Sequence, residues 1–223
     1  MVFADGKYLQ TTLDAPMKKA LLTLLFGFSF IGAVQAAYMP IGPQTNIALS
    51  TVLNGGWTQC YSATMAAPIG INASQVLSEC TGDNLMMAGR ETGSDSFLVL
   101  AAGDLVSTIF DTGKTNNTHV VNGSKWWFSG NEWSWGFTGL NNSVQNNSCN
   151  LASGPTSMCL HTFDQYGGYR INDIGGLNDS IQYEKVFFVS SAVDPVNVPE
   201  PTSIALLGLG LFGFAAVRRK SAK

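Results

Sequence analysis

The chain has 223 residues, only 12% of them charged, and a formal net charge of −3. Between Ala37 and Val198 five cations (Arg90, Lys114, Lys125, Arg170, Lys185) stand against twelve Asp and Glu residues, a balance of −7. Such a segment has too few Lys and Arg to neutralise phosphates, which argues against nucleic acid and an anionic lipid surface as partners; it permits Ca²⁺, which favours carboxylate oxygens.

Residues 17–36 read MKKALLTLLFGFSFIGAVQA. Two lysines, Lys18 and Lys19, precede an apolar stretch, and the small side chains of Val34 and Ala36 precede a cut ahead of Ala37. Basic, apolar and small residues in that order make a secretory signal peptide, removed rather than folded. Residues 1–36 are assigned to it. Translation is expected to start at Met17, because Asp5 and Asp14 do not suit a basic leader.

Residues 37–192 form the expected ectodomain, long enough for one domain with its own core. Runs of β-branched and aromatic residues alternate with Gly, Asn, Asp and Ser, the pattern of strands and turns. In chain order, strands are expected over 46–53, 56–62, 96–101, 105–111, 119–122, 125–128, 132–138, 158–163, 169–172 and 183–190. Short helices are expected over 74–80 and 82–87. The fold class is therefore all-β: a disulfide-stapled antiparallel β-sandwich, jelly-roll-like, between a signal peptide and a single C-terminal transmembrane helix.

Four cysteines, Cys60, Cys80, Cys149 and Cys159, are even in number and exported, so disulfides are expected. Three pairings exist. Cys60–Cys80 with Cys149–Cys159 is favoured, since each pair lies in one half of the chain. The alternative, a metal site of Cys149, Cys159 and His161, lacks a fourth ligand and the usual spacing.

Four of the five tryptophans fall in KWWFSGNEWSWGF, residues 125–137, which reads as a hairpin turning at Ser129-Gly130-Asn131. Period-two geometry puts Trp133, Trp135 and Phe137 on one face, with Trp126 and Phe128 on the partner strand, and turns Trp127 the other way. That face is either the core or a platform on which sugar rings stack. In the second case Trp133 and Trp135 supply rings, and Asn131 and Glu132 supply hydrogen-bonding groups; in an intermediate case that face fills the core and Trp127 alone is exposed to a sugar.

Two loops, FDTGKTNNTH (110–119) and INDIGGLNDS (171–180), combine carboxylates, amides and glycines. They suit either Ca²⁺ or plain Asx turns, and the turns alone explain the composition. No dedicated metal site and no other cofactor is expected. Catalytic signatures are missing: there is no Gly-x-Ser-x-Gly and no His-Glu-x-x-His. A trio drawn from His161, Asp164 and a serine, or a carboxylate pair such as Glu91 with Glu132, depends wholly on distance in space. The expectation is a non-enzyme.

After a Pro-rich stalk, 193–198, comes the tail VPEPTSIALLGLGLFGFAAVRRKSAK. Sixteen uncharged residues, 202–217, would span roughly 24 Å as a helix, short of the ~30 Å hydrocarbon core unless the following cations reach to the interface. Arg218, Arg219 and Lys220 mark its cytoplasmic end. Pro199-Glu200-Pro201, the apolar span and the basic end together resemble the PEP-CTERM sorting signal of Gram-negative bacteria, taken as 199–223. The resemblance implies that an exosortase, a membrane cysteine transpeptidase, cuts near Pro199, Glu200 and Pro201. The chain would pass from an inner-membrane intermediate to the cell surface or extracellular matrix. Segments 55–62, 85–103, 131–137 and 176–188 also resemble a secreted bacterial module with Gly-Trp at its start, which carries no catalytic residue to transfer.

The functional expectation is an exported surface or matrix protein, structural or glycan-interacting within an exopolysaccharide. The alternatives are a β-fold enzyme acting on polysaccharide and a protein-binding surface module. A binder saturates and returns its ligand unchanged, a hydrolase releases reducing ends, and a protein-binding module ignores glycan.

Overall fold

The computed structural model describes residues 38–113, 116–130, 133–145, 149–151 and 156–191. The signal peptide, the stalk and the sorting tail, with Pro199, Glu200, Pro201, Arg218, Arg219 and Lys220, lie outside them. So does the expected membrane helix; among the described residues no helix is long and apolar enough to cross a membrane.

The described chain is mostly β-structure. Strand β1 (Ile47–Ala48) leads into α1 (Leu49–Asn54), then β2 (Thr58–Thr64), α2 (Ser74–Glu79) and β3 (Asn84–Glu91). Next come β4 (Ser96–Phe97), β5 (Val99–Asp104), α3 (Leu105–Thr108), β6 (His119–Val121), β7 (Ser124–Phe128) and β8 (Ser134–Thr138). Two short strands, β9 (Val144–Gln145) and β10 (Asn150–Leu151), precede β11 (Met158–His161), β12 (Gly168–Ile171) and β13 (Tyr183–Ser190). One sheet has the order β12-β11-β8-β7-β6 and the other β2-β13-β3-β5; β1 with β4, and β9 with β10, form two-stranded pairs. Every paired strand is antiparallel to its neighbour.

Alternation builds a shared core. Leu85 and Met87 of β3, Val99 and Ala101 of β5 and Phe187 of β13 come from one sheet. Trp126 and Phe128 of β7, Trp135 and Phe137 of β8, and Met158 and Leu160 of β11 come from the other. All belong to one buried cluster. Trp126 and Phe137 are cross-strand partners with ring centroids 5.2 Å apart, the kind of pair that stabilises a sheet by about 0.2–1 kcal/mol. The other face of the four-stranded sheet buries Met86, Ala88, Val186 and Phe188 against Val52, Trp57 and Phe97. The β6–β7 hairpin turns at Asn122-Gly123, both at positive φ (46° and 78°), as a tight hairpin whose strands twist right-handedly requires.

Both disulfides follow the favoured pairing, Cys60–Cys80 and Cys149–Cys159. Three element expectations are corrected. Residues 49–54 and 105–108 are helical turns rather than strands; Asp104 caps the second, its Oδ1 accepting from the Ser107 N–H at 2.8 Å. Residues 84–91, expected to begin as a helix, form a strand buried between β13 and β5. There the packing on both sides overrides the helix propensity of Leu, Met and Ala.

Candidate functional site

The tryptophan hairpin exists, with Trp126 opposite Phe137 and Phe128 opposite Trp135. Asn131 and Glu132 at its tip lie outside the described residues, and Glu91 therefore has no described carboxylate partner from that turn. Trp135 is fully buried, and its Nε1 donates to the Thr108 carbonyl at 2.9 Å. Trp127 does point to the opposite face, yet it is fully buried too. It packs with Val144, Cys149, Cys159 and the half-buried Tyr169, and its Nε1 donates to Ser134 Oγ at 2.9 Å. A Cβ at Gly136 would meet the Trp127 ring at 2.4 Å, so the glycine is the seat on which this indole lies. The platform expected on Trp127 and Trp135 is therefore corrected: neither ring offers a face to a sugar. Trp133 is half-buried, and its carbonyl accepts from the Thr162 N–H at 3.2 Å.

The partly open aromatic rings sit elsewhere, in the sequence HTFDQYGGY between β11 and β12. His161 ends β11, Phe163 and Tyr166 occupy the turn, and Tyr169 lies on β12. The rings of Phe163, Tyr166 and Tyr169 stand 4.9, 5.8 and 6.0 Å from that of His161. All four residues are half-buried. The turn is held on several sides. Asp164 Oδ1 accepts from the Ile71 N–H at 3.1 Å, and Thr162 Oγ1 donates to the Ser129 carbonyl at 2.6 Å. The Gly168 N–H donates to the Met65 carbonyl at 2.7 Å. Gly167 lies so close to the carbonyls of Met65 and Ala67 that a Cβ there would approach them to 2.2 and 2.0 Å, a contact only glycine permits.

His161 Nε2 and Asn178 Oδ1 are 3.0 Å apart. Burial lowers the imidazole pKa below its usual value, against the opposing pull of Asn178 and the Trp133 backbone. Asp164 is committed to Ile71, so His161 and Asp164 do not form the relay a nucleophilic serine requires. Cys149 and Cys159 share a disulfide, so neither offers a thiolate beside His161, and the three-ligand metal alternative falls. In the Asp-rich loops, Asp111 Oδ1 accepts from the Gly113 N–H at 2.8 Å, and Asn172 Oδ1 accepts from the Thr156 N–H at 3.1 Å. The first is an Asx turn; the second ties two segments sixteen residues apart. Among the described residues no three His, Cys, Asp or Glu side chains gather as a metal site.

Lys185 escaped the sequence reading. It lies on β13 with no exposed surface, and its Nζ donates to the carbonyls of Thr64 and Ala67 at 2.5 Å each. Burial lowers its pKa to about 7. Next to it in sequence, Glu184 makes a buried ion pair with Arg90, Nε to Oε1 2.5 Å. Arg90 Nη1 donates to the Ser94 carbonyl at 2.7 Å, and the guanidinium stands over Phe97. Two polar clefts lie among the described residues. One, about 340 Å³, is lined by Gly56, Thr58, Thr81 and Ser190 among others. The other, about 330 Å³, is lined by Asn116, Thr118, Asn142 and Lys125, whose Nζ donates to the Asn142 carbonyl at 2.9 Å.

Residues 197–220 match the family model described as the PEP-CTERM protein-sorting motif. The chain thus carries the signal of exported proteins processed at the membrane by an exosortase. No curated protein and no solved structure matches the chain.

Proposed function

We propose that this protein is a surface or matrix component, structural or glycan-interacting within an exopolysaccharide, which an exosortase releases from its membrane anchor. The single observation behind the sorting part is the motif match over 197–220. Two disulfides suit an oxidising destination outside the cytoplasm. The ectodomain is read as a β-sandwich, two sheets enclosing one core, with its termini leading to the signal peptide and the stalk. Its role is non-catalytic: the half-buried aromatic group around His161 binds, and its histidine has an amide rather than an acid for a partner. The mature form keeps no membrane helix, because cleavage near Pro199-Glu200-Pro201 leaves the apolar tail behind.

The test is fractionation of cells that make the full chain and the Pro199→Ala/Glu200→Ala/Pro201→Ala variant. The native chain should leave the membrane fraction, and the variant should remain there with its tail uncut. Equal release of both would overturn the sorting reading.

A further inference from the structure

We infer that the aromatic group of His161, Phe163, Tyr166 and Tyr169 is a binding site for a neutral polysaccharide, whose sugar rings stack on the aromatic faces. The inference rests on the matrix reading above and supplies its ligand class. Three observations carry it.

The first is access. Trp126, Trp127 and Trp135 are sealed in the protein, while the rings around His161 are all partly open, and they arise from one short segment. Phe163 and Tyr166 also contact each other edge to face, centroids 5.8 Å apart.

The second is the state of the polar atoms. Three indoles elsewhere spend theirs internally: Trp57 Nε1 on the Tyr38 carbonyl, Trp127 Nε1 on Ser134, Trp135 Nε1 on the Thr108 carbonyl; the Trp126 Nε1 and the Tyr38 hydroxyl are unpartnered but sealed from solvent. Among the described residues, the hydroxyls of Tyr166 and Tyr169 and the amide nitrogen of Asn178 make no hydrogen bond. A ring face beside an uncommitted hydroxyl and an amide complements a pyranose, which presents C–H groups on its faces and O–H groups at its rim.

The third is order. The turn is pinned by Asp164, Thr162 and Gly168, so the rings lose little freedom when a ligand arrives. Charge selects the ligand. Arg170, over Tyr169 at 5.9 Å, already donates through Nη1 to the Asn172 carbonyl. With seven more anions than cations between Ala37 and Val198, the domain repels an acidic polymer and accepts a neutral one.

The test is calorimetric titration of the full chain in a zwitterionic detergent that has no sugar headgroup. The probes are a soluble β-glucan, a galactomannan and, as the acidic comparison, alginate. Saturable heat is expected with a neutral polymer and none with alginate. Phe163→Ala/Tyr166→Ala should weaken binding about tenfold or more, the effect of losing a stacked ring. If that variant fails to fold, Tyr166→Phe/Tyr169→Phe removes only the two hydroxyls. It should weaken binding severalfold with an unchanged far-ultraviolet dichroism spectrum and thermal midpoint. Absence of heat with both neutral polymers, native affinity in the folded variants, binding of alginate alone, or a protein partner lost on the same substitutions would each overturn the assignment. A flat titration leaves the sorting reading standing, because release from the membrane is read separately.

Discussion

Trp135 of the five-stranded sheet stacks on Phe187 of the four-stranded sheet, ring centroids 5.2 Å apart and planes inclined by 28°. The two residues are 52 positions apart in sequence and both fully buried. The contact ties the sheets together through their largest apolar surfaces. The indole N–H, held by the Thr108 carbonyl, carries the cost of burying a polar group.

Trp135→Ala should therefore destabilise the protein by about 3–5 kcal/mol, the usual loss for a buried tryptophan. It also strands the Thr108 carbonyl. Denaturant unfolding of the two proteins measures it, as a lower midpoint at unchanged slope. A loss under about 1 kcal/mol would mean that the sheets do not share this core.

Lys185 predicts an unusual pH dependence. Its folded pKa, about 7, lies below the usual 10.5. Between those values the unfolded chain holds a proton that the folded one has shed, so stability rises with pH across this window. Below about pH 7 the penalty is present in full, on the order of 5 kcal/mol. Lys185→Met removes the ionisable group and leaves two carbonyls without their donor. It should be roughly 1–4 kcal/mol more stable than the native chain at pH 7 and should lose the rise between pH 7 and 9.5. Urea unfolding at several pH values in that range distinguishes the two slopes. Equal slopes would show that the lysine is charged and satisfied by the carbonyls.

The Cys149–Cys159 disulfide closes part of the cover over Trp127. Replacing both cysteines by alanine should cost about 3 kcal/mol by loop entropy, given the ten-residue separation. It should also open the Trp127 ring to acrylamide quenching while the protein remains folded. Removing Cys60 and Cys80 should leave that quenching as it is, since their disulfide lies in the other half of the chain. Unaltered quenching in the first variant would place the cover in Val144 and Tyr169 instead.

Much of the strand pattern was legible. The run 183–190, Tyr, Glu, Lys, Val, Phe, Phe, Val, Ser, is a strand at those limits, and the tryptophan hairpin pairs as its alternation implies. Residues 84–91 were not legible, because Leu-Met-Met-Ala favours a helix when read alone. Hydrogen bonds to β13 on one side and β5 on the other make it a strand. The aromatic group around His161 left a signal that alternation did not isolate: aromatic rings at 161, 163, 166 and 169 with two glycines between the last pair. Their spacing fits no single strand; the turn brings them together. Lys185 left no signal at all, since a lysine between apolar neighbours reads as a solvated position until a third segment closes over it.

By itself the sequence determined the address and the cysteine framework. A sorting signal is recognised as a linear segment, so its order of Pro-Glu-Pro, apolar span and basic end is its whole content. A disulfide between cysteines 10 or 20 residues apart is also close to a local property. Which aromatic rings are open was decided only by tertiary structure. Trp127 is closed by residues 17 to 42 positions away, and Trp135 by residues 27 and 52 positions away. Period-two alternation states which side of a sheet a ring faces; whether another part of the chain packs there depends on contacts distant in sequence.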